Sequence, residues 1–207
     1  MRKNIFLLTA LFISLYVSSQ VDVKSGLIAG SGSGSLYDTE FKPSFDMNEI
    51  NYKAPDVALG YRFRLQPSGK RFFYDADILV GLKRFDYARY VGLFSPEDNK
   101  LSLTPIDVYK HSYFHLTLGA SWNYRFVDKW YAGVGINPTL YAAKGRKRDN
   151  SLTGYSFDIP AALKLGYDFG CVDVSFNYAY GFSNVSHSDY ITKARLRNWQ
   201  IQFFIPF

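Results

Sequence analysis

Apolar and polar residues alternate with a period of two over most of the chain after Gln20. Between Tyr113 and Phe126 the two sets occupy strictly alternate positions: Phe114, Leu116, Leu118, Ala120, Trp122, Tyr124 and Phe126 against His115, Thr117, Gly119, Ser121, Asn123 and Arg125. A strand separates such sets onto two faces, whereas a helix would mix them around its surface. The segment from Phe157 to Phe169 alternates in the same way. The pattern therefore predicts β-strands with one apolar and one polar face.

Eight segments show this alternation, and the first of them, which is rich in Gly and Ser, shows it most weakly. They are Val23–Tyr37, Val57–Leu65, Tyr74–Leu82, Tyr113–Phe126, Trp130–Asn137, Phe157–Phe169, Val172–Tyr180 and Asn198–Phe207. Many are about ten residues long or longer, which suits a tilted crossing of a bilayer. Strands of globular proteins average about five or six residues.

The connections between these segments are alternately long and short. The long ones are Asp38–Lys53, Asp86–Ser112, Ala142–Ser156 and Ser183–Lys193, and the short ones are Gln66–Arg71, Val127–Lys129 and Gly170–Cys171. Outer-membrane barrels have this asymmetry, with short periplasmic turns and longer extracellular loops. We therefore predict an all-β fold, an eight-stranded antiparallel up-and-down transmembrane β-barrel. The alternative is a water-soluble sandwich, against which the strand lengths and the terminal Phe207 argue.

The composition supports a lipid-facing surface. Aromatic residues make up 18% of the 207 residues, more than a soluble core requires. Many lie on the apolar faces near the short turns, where a barrel carries an aromatic girdle: Phe63, Tyr74, Tyr124, Phe126, Trp130, Tyr167, Phe169, Phe203 and Phe207. The net charge of +6 comes from scattered residues, so we expect no nucleic-acid partner. With one Cys and three His, we expect no metal site and no cofactor.

The N-terminus resembles a secretory signal. A basic start, Met1 to Asn4, precedes the apolar run IFLLTALFISLYV and the small residues Ser18 and Ser19. Thirteen apolar residues are too few to span a bilayer comfortably as a helix. We predict a cleaved signal peptide at residues 1–19 and a mature outer-membrane domain at residues 20–207, with an uncleaved anchor as the alternative.

Three stretches of the last third carry a resemblance, one to an assembly signal and two to a family. The amphipathic strand Trp199–Phe207 resembles the signal that the outer-membrane assembly machinery recognises, with Trp199, Ile201, Phe203 and Phe207 on its apolar face. FDIPAALKLGY, from Phe157 to Tyr167, and YAYGFSNV, from Tyr178 to Val185, are similar to strands of PorT-like outer-membrane β-barrel proteins. The resemblance implies an eight-stranded barrel of the porin-like class and, as an alternative function, a component or assembly factor of a secretion or motility apparatus. Pro206 departs from the terminal signal because it lacks a backbone donor.

The polar faces would line the lumen and bring charges of both signs together. The charged residues among them are Arg62, Arg64, Asp75, Asp77, Lys83, His115, Arg125, Asp158, Lys164, Asp168 and Asp173. If Leu65 pairs with Phe72 across the first short turn, Arg62 lies opposite Asp75. An eight-stranded lumen is just wide enough for side chains to fill it. We therefore favour a packed polar plug over a gated pore or proton path.

Catalysis is the weaker interpretation. Lipid A deacylases of this architecture use a His-x-Ser-Asn stretch, whereas here Gly181 stands in the place of the histidine before Ser183 and Asn184. His187, Ser188 and Asp189 are adjacent, and neighbouring residues of an extended chain point to opposite sides. His115 is expected in the lumen, and His111 in a loop.

Two predicted extracellular segments suggest binding. Lys144, Arg146, Lys147 and Arg148 could contact lipid headgroup phosphates, or could belong to an ordinary solvated loop. Phe85–Phe94 could bind a partner, but extension of the barrel as a β-ribbon is favoured.

We expect a monomeric, non-enzymatic barrel of the cell outer membrane with a structural or surface-binding role. Its expected partners are outer-membrane lipid and lipopolysaccharide, the barrel assembly machinery during insertion, and an envelope protein. A lipid A-modifying enzyme is the remaining alternative.

Overall fold

The computed structural model describes residues 21–41, 54–95, 100–143, 155–185 and 191–207. Its ten strand segments are β1 (Val21–Phe41), β2 (Ala54–Pro67), β3 (Phe72–Ser95), β4 (Lys100–Arg125), β5 (Trp130–Ile136), β6 (Thr139–Ala143), β7 (Tyr155–Asp158), β8 (Ala161–Asp168), β9 (Asp173–Tyr180) and β10 (Ile191–Pro206). The predicted signal peptide lies outside the described residues.

The strands form one closed antiparallel sheet. Neighbours follow the order β3-β2-β1-β10-β9-β8-β5-β4, and pairing of β4 with β3 completes the circle. β5 and β6 both pair with β4 and together make the fifth barrel strand, while β7 and β8 make the sixth. The predicted eight-stranded antiparallel barrel is thus confirmed.

Two prolines interrupt the fifth and sixth barrel strands at the same height. Pro138 separates β5 from β6, and Pro160 separates β7 from β8. Their carbonyls still accept bonds, from Leu118 N and Asn137 N, each at 2.9 Å. Because only the donor is missing at each proline, pairing resumes in register beyond the break.

The long connection predicted at Asp86–Ser112 is largely wrong. β3 and β4 remain paired from Lys83↔Tyr113 up to Ser95↔Lys100, with one register shift after Arg89. This pairing realises the predicted ribbon extension at Phe85–Phe94. Aromatic and β-branched residues are frequent in these parts of β3 and β4, and such residues favour strand pairing. The two strands therefore remain paired beyond the membrane.

The short turns are four residues each and use glycine where the backbone requires it. Gly69 and Gly170, in the turns after β2 and β8, have φ of 69° and 95°. These left-handed conformations are accessible to glycine without steric cost. The turns hold their neighbours in the tight up-and-down connectivity that was predicted for this end.

Alternate residues separate a lipid-facing surface from the interior. Large apolar side chains are exposed around the whole barrel, among them Leu59, Val80, Leu118, Leu163 and Phe203. The residues between them are buried and mainly polar. An apolar band on a closed barrel with a polar interior is the arrangement of an outer-membrane barrel, so the chain is an outer-membrane protein. Within the described ranges no helix is long and apolar enough to cross a membrane.

Pro206 fits the end of the last strand. The neighbouring Phe207 N donates to Ser25 O of β1 at 2.9 Å. Adjacent residues of a strand direct their N–H groups to opposite neighbouring strands. A donor at position 206 would therefore face β9, whose pairing with β10 has already ended at Phe204↔Asp173. The missing donor of Pro206 therefore removes no bond of the sheet.

Candidate functional site

The interior of the barrel is the candidate site because it concentrates buried charge. Among the described residues, four basic and five acidic side chains are buried there together with His115: Arg62, Arg64, Lys83 and Lys164, and Asp56, Asp75, Asp77, Asp158 and Asp173. Buried charges are costly unless they are paired and hydrogen-bonded. Their partners therefore decide what the lumen can do.

The register of β2 and β3 differs from the predicted one by two residues. Leu65 pairs with Tyr74 instead of Phe72, so Arg62 lies opposite Asp77 and Arg64 opposite Asp75. Both pairs are bidentate, with Nε–Oδ1 distances of 2.7 Å. All four of these side chains are buried, and the pair proposed between Arg62 and Asp75 is only a secondary contact at 3.8 Å.

Further contacts connect strands that are not neighbours. Arg64 Nη1 donates to Asp173 Oδ2 on β9 at 2.7 Å. From β8, Lys164 Nζ donates to Asp75 Oδ2 at 3.1 Å and to Ser121 Oγ at 3.0 Å. These bonds cross the lumen in the half nearest the short turns. Together they form a charge-matched network of three cations and three carboxylates.

Buried aromatic rings pack against this network on the side of the short turns. The Arg64 guanidinium lies 4.3 Å from the ring centroid of Phe73 and 5.2 Å from that of Phe204. The Tyr131 hydroxyl donates to Asp173. At the rim, Arg125 bonds Asp168 at 2.9 Å, and both remain partly exposed. Arg125 is therefore a rim residue and does not belong to the buried network.

A second cluster in the other half of the lumen surrounds Asp56. Its carboxylate accepts from Asn198 Nδ2 at 2.7 Å and Gln200 Nε2 at 2.9 Å, lies 3.1 Å from Lys83 Nζ and lies 3.0 Å from His115 Nε2. Sequence reasoning missed Asp56, which comes one residue before the predicted second strand. The one indication of Asp56 in the sequence was that the alternation of inward positions in the second strand extends back to that residue.

His115 continues this cluster toward two hydroxyl groups. Its Nδ1 lies 3.2 Å from Thr117 Oγ1, which lies 3.0 Å from Thr139 Oγ1. The order carboxylate, imidazole and hydroxyl resembles that of a nucleophilic triad. The adjoining cavity measures about 30 Å³, however, which is room for a water molecule or two and not for an acyl substrate.

Asn177 and Asn198 line the same cavity. The side-chain oxygen of each has no hydrogen-bond partner within the described residues. Small polar donors such as water match this lining. The cavity can hydrate the Asp56 cluster without opening a channel.

The segment after β9, from Gly181 to Val185, stays beside β10: Gly181 N donates to Leu196 O and Val185 N to Ala194 O, each at 2.8 Å. Asp158 Oδ1 accepts from the backbone N–H groups of Phe182 at 3.1 Å and Ser183 at 2.9 Å. Val185 is buried, together with Leu196 of β10. A buried carboxylate of β7 thus fixes this segment, here called the cap, at the end of the barrel opposite the short turns.

Several other predicted residues can be placed. Trp199, Ile201, Phe203 and Phe207 all lie exposed on the outward face at the end of the chain. Ser183 and Asn184 belong to the cap, where Asn184 Oδ1 accepts from Ala194 N at 2.9 Å. His111 lies within β4 and not in a loop.

Two sets of predicted residues lie outside the described ranges. They are the basic set Lys144, Arg146, Lys147 and Arg148, and the set His187, Ser188 and Asp189. The proposed phosphate contacts of the first set therefore stay a prediction.

The structure is similar to small outer-membrane barrels. It aligns with the crystal structure of Neisserial surface protein A at 14% identity and a TM-score of 0.42, over 91% of this chain and 99% of that one. It aligns with the outer-membrane protein Ail of Yersinia pestis in a phospholipid nanodisc at 11% identity and a TM-score of 0.41, over 90% of this chain and 100% of that one. No protein-family model and no curated protein matches the sequence.

Proposed function

We propose that the protein is a non-enzymatic outer-membrane barrel with a closed lumen and a structural or surface-binding role. The observation that carries this proposal is the network of Arg62, Arg64 and Lys164 with Asp75, Asp77 and Asp173, which crosses the lumen and matches its charges. Removing either partner of such a pair would leave a buried charge, so the pairs favour a permanent plug. The outer surface and the extracellular end then remain as the parts that can bind.

Ion conductance in planar bilayers tests the plug. We expect the purified full-length protein to insert without producing conductance steps, while a known open porin produces them under the same conditions. Regular steps, or steps that depend on voltage, would instead support the gated pore and overturn the closed lumen.

Catalysis is tested through lipid A. The Asp56, His115 and Thr117 arrangement is enclosed beside a cavity too small for an acyl chain, so we expect the mass profile of lipid A to be unchanged in a strain that lacks the gene. Loss of one lipid A species, restored by the wild-type protein but not by Thr117→Val, would assign an enzyme.

Membership of a secretion or motility apparatus is the alternative implied by the PorT-like resemblance. No contact within the described residues favours it. Affinity purification of the native, membrane-extracted protein distinguishes the two roles: a free-standing barrel is recovered alone, and an apparatus subunit is recovered with envelope partners in fixed ratio.

A further inference from the structure

The outward face of β10 changes abruptly from apolar to basic. Its exposed side chains from Phe207 up to Trp199 are apolar, and the next three outward positions are Arg197, Arg195 and Lys193. Outward residues of a barrel strand face lipid until the strand leaves the hydrocarbon. The change at Trp199 therefore marks the extracellular membrane interface, and the three cations lie directly above it.

A bulge in β1 directs two carboxylates to the upper part of this basic row. Pairing shifts between Tyr37↔Arg195 and Glu40↔Lys193, and Asp38 in the bulge has φ of 51°. Lys193 Nζ lies 3.0 Å from both Asp38 and Glu40. Bulges often redirect side chains in this way.

Arg197, the lowest cation of the row, has a neutral partner. Its Nε donates to Ser35 Oγ at 2.7 Å, while Asp38 contacts Arg195 at 3.2 Å. Within the described part of the chain, Arg197 takes part in no ion pair. The row has three cations and two carboxylates, so it carries an excess positive charge. That excess lies at Arg197, at the end of the row nearest the membrane.

Aromatic rings from both strands beside β10 meet at the height of the row. The rings of Tyr37 on β1 and Tyr180 on β9 are 4.6 Å apart, and Tyr180 also contacts Phe182 at 5.6 Å. Trp199 lies immediately below, with its ring stacked near Phe176. Tyr and Trp are enriched at the level of lipid headgroups, so the arginines lie where headgroup phosphates lie.

We propose that Arg195 and Arg197 bind the phosphate groups of lipid A in the outer leaflet, a deeper form of the surface-binding role proposed above. Guanidinium groups bind phosphate through paired hydrogen bonds. Two arginines on alternate residues are about 6.6 Å apart along the strand, a spacing that favours a headgroup with more than one phosphate. Lipid A offers this headgroup, with its acyl chains beside the apolar face below Trp199.

Native mass spectrometry of the full-length protein in detergent tests the proposal. The probes are purified bisphosphorylated lipid A, the same lipid A after dephosphorylation, and phosphatidylglycerol. We expect the wild-type protein to retain bisphosphorylated lipid A most strongly. The variant Arg195→Gln/Arg197→Gln should lower that affinity roughly ten- to thirtyfold, on the basis of the attraction of each basic residue to an anionic lipid surface.

A matched control removes two exposed charges at the opposite end of the barrel. Lys70→Gln/Arg71→Gln should leave lipid A affinity unchanged. Equal binding of dephosphorylated lipid A or of phosphatidylglycerol by the wild-type protein would overturn the proposal, as would an unaffected Arg195→Gln/Arg197→Gln variant.

Heat-modifiable gel migration checks that each variant has folded. Arg197→Lys provides a second variant if the double one does not fold, and it should weaken binding because lysine cannot form the paired bonds. The lipid-binding results do not depend on the conductance results. Loss of the lipid proposal would therefore not affect the proposed closed lumen, and conductance steps would not affect the proposed lipid site.

Discussion

Arg64 on β2 donates to Asp173 on β9 at 2.7 Å, across a lumen in which those strands are separated by β1 and β10. The same guanidinium holds Asp75 of β3 through two bonds. One buried cation therefore ties three strands together from inside the barrel. This contact supports the closed lumen that we propose.

Replacing Arg64 by methionine should lower the free energy of unfolding by about 3–5 kcal/mol, because buried Asp173 loses its cation and buried Asp75 keeps only Lys164 and the distant Arg62. Denaturant unfolding from lipid vesicles measures the change. The matched control is Arg125→Met at the partly exposed rim, where losing the pair with Asp168 should cost about 0–1 kcal/mol. Equal losses for the two variants would contradict the distinction between network and rim.

Two inward glycines should respond very differently to alanine. A Cβ at Gly166 would lie 2.2 Å from Tyr131 Cζ, whereas at Gly30 the nearest atoms are 3.5 Å away. Gly166→Ala must displace the ring that donates to Asp173, so we expect a loss of about 1–3 kcal/mol in unfolding free energy. Gly30→Ala should be nearly neutral. Similar stability of both variants would show that the Tyr131 ring moves freely.

Face alternation was enough to predict the strands, but it could not fix their register. A shift of one residue turns every side chain to the wrong face, whereas a shift of two keeps every face correct. Arg62 was therefore placed inside correctly and paired with the wrong aspartate. Asp56 was missed because strand ends are set by pairing partners, which the alternation of a single strand does not show.

The sequence favoured a ribbon at Phe85–Phe94, but it did not show which segment pairs with it, and it gave no sign of the cap. β3 and β4 continue above the barrel because they pair with each other, although the second half of the predicted connection looked like a loop. The bonds that Phe182 N and Ser183 N donate to Asp158 join the segment after β9 to β7. No local pattern marks such a contact.

A charged substitution on the lipid-facing surface should be most destabilising at the middle of the membrane. Leu163 is exposed at the middle of the outward row that runs from Phe157 to Phe169. Leu163→Arg should therefore lower the unfolding free energy by about 2–4 kcal/mol, and Val127→Arg in a short turn by about 0–1 kcal/mol. Unfolding in vesicles measures both. Equal small effects would indicate that the apolar band does not face hydrocarbon.

The cap should loosen when its carboxylate is removed. Asp158→Ala deletes the acceptor of the Phe182 and Ser183 amides, so their hydrogen exchange should accelerate, while exchange at Asn177 in β9 should not change. Ser156→Ala, also buried on β7, is the control. Unchanged protection of the two amides in Asp158→Ala would show that other contacts hold the cap.

The single cysteine provides a test of orientation. Cys171 is exposed in the short turn between β8 and β9, which we expect to face the periplasm because barrel turns of this kind lie there. A membrane-impermeant maleimide should therefore label Cys171 only after the outer membrane is permeabilised. In a Cys171→Ser background, Asn184→Cys on the exposed surface of the cap should be labelled in intact cells. The reverse labelling pattern would show that the barrel has the opposite orientation. Arg195 and Arg197 would then lie at the inner leaflet, where lipid A is not their partner.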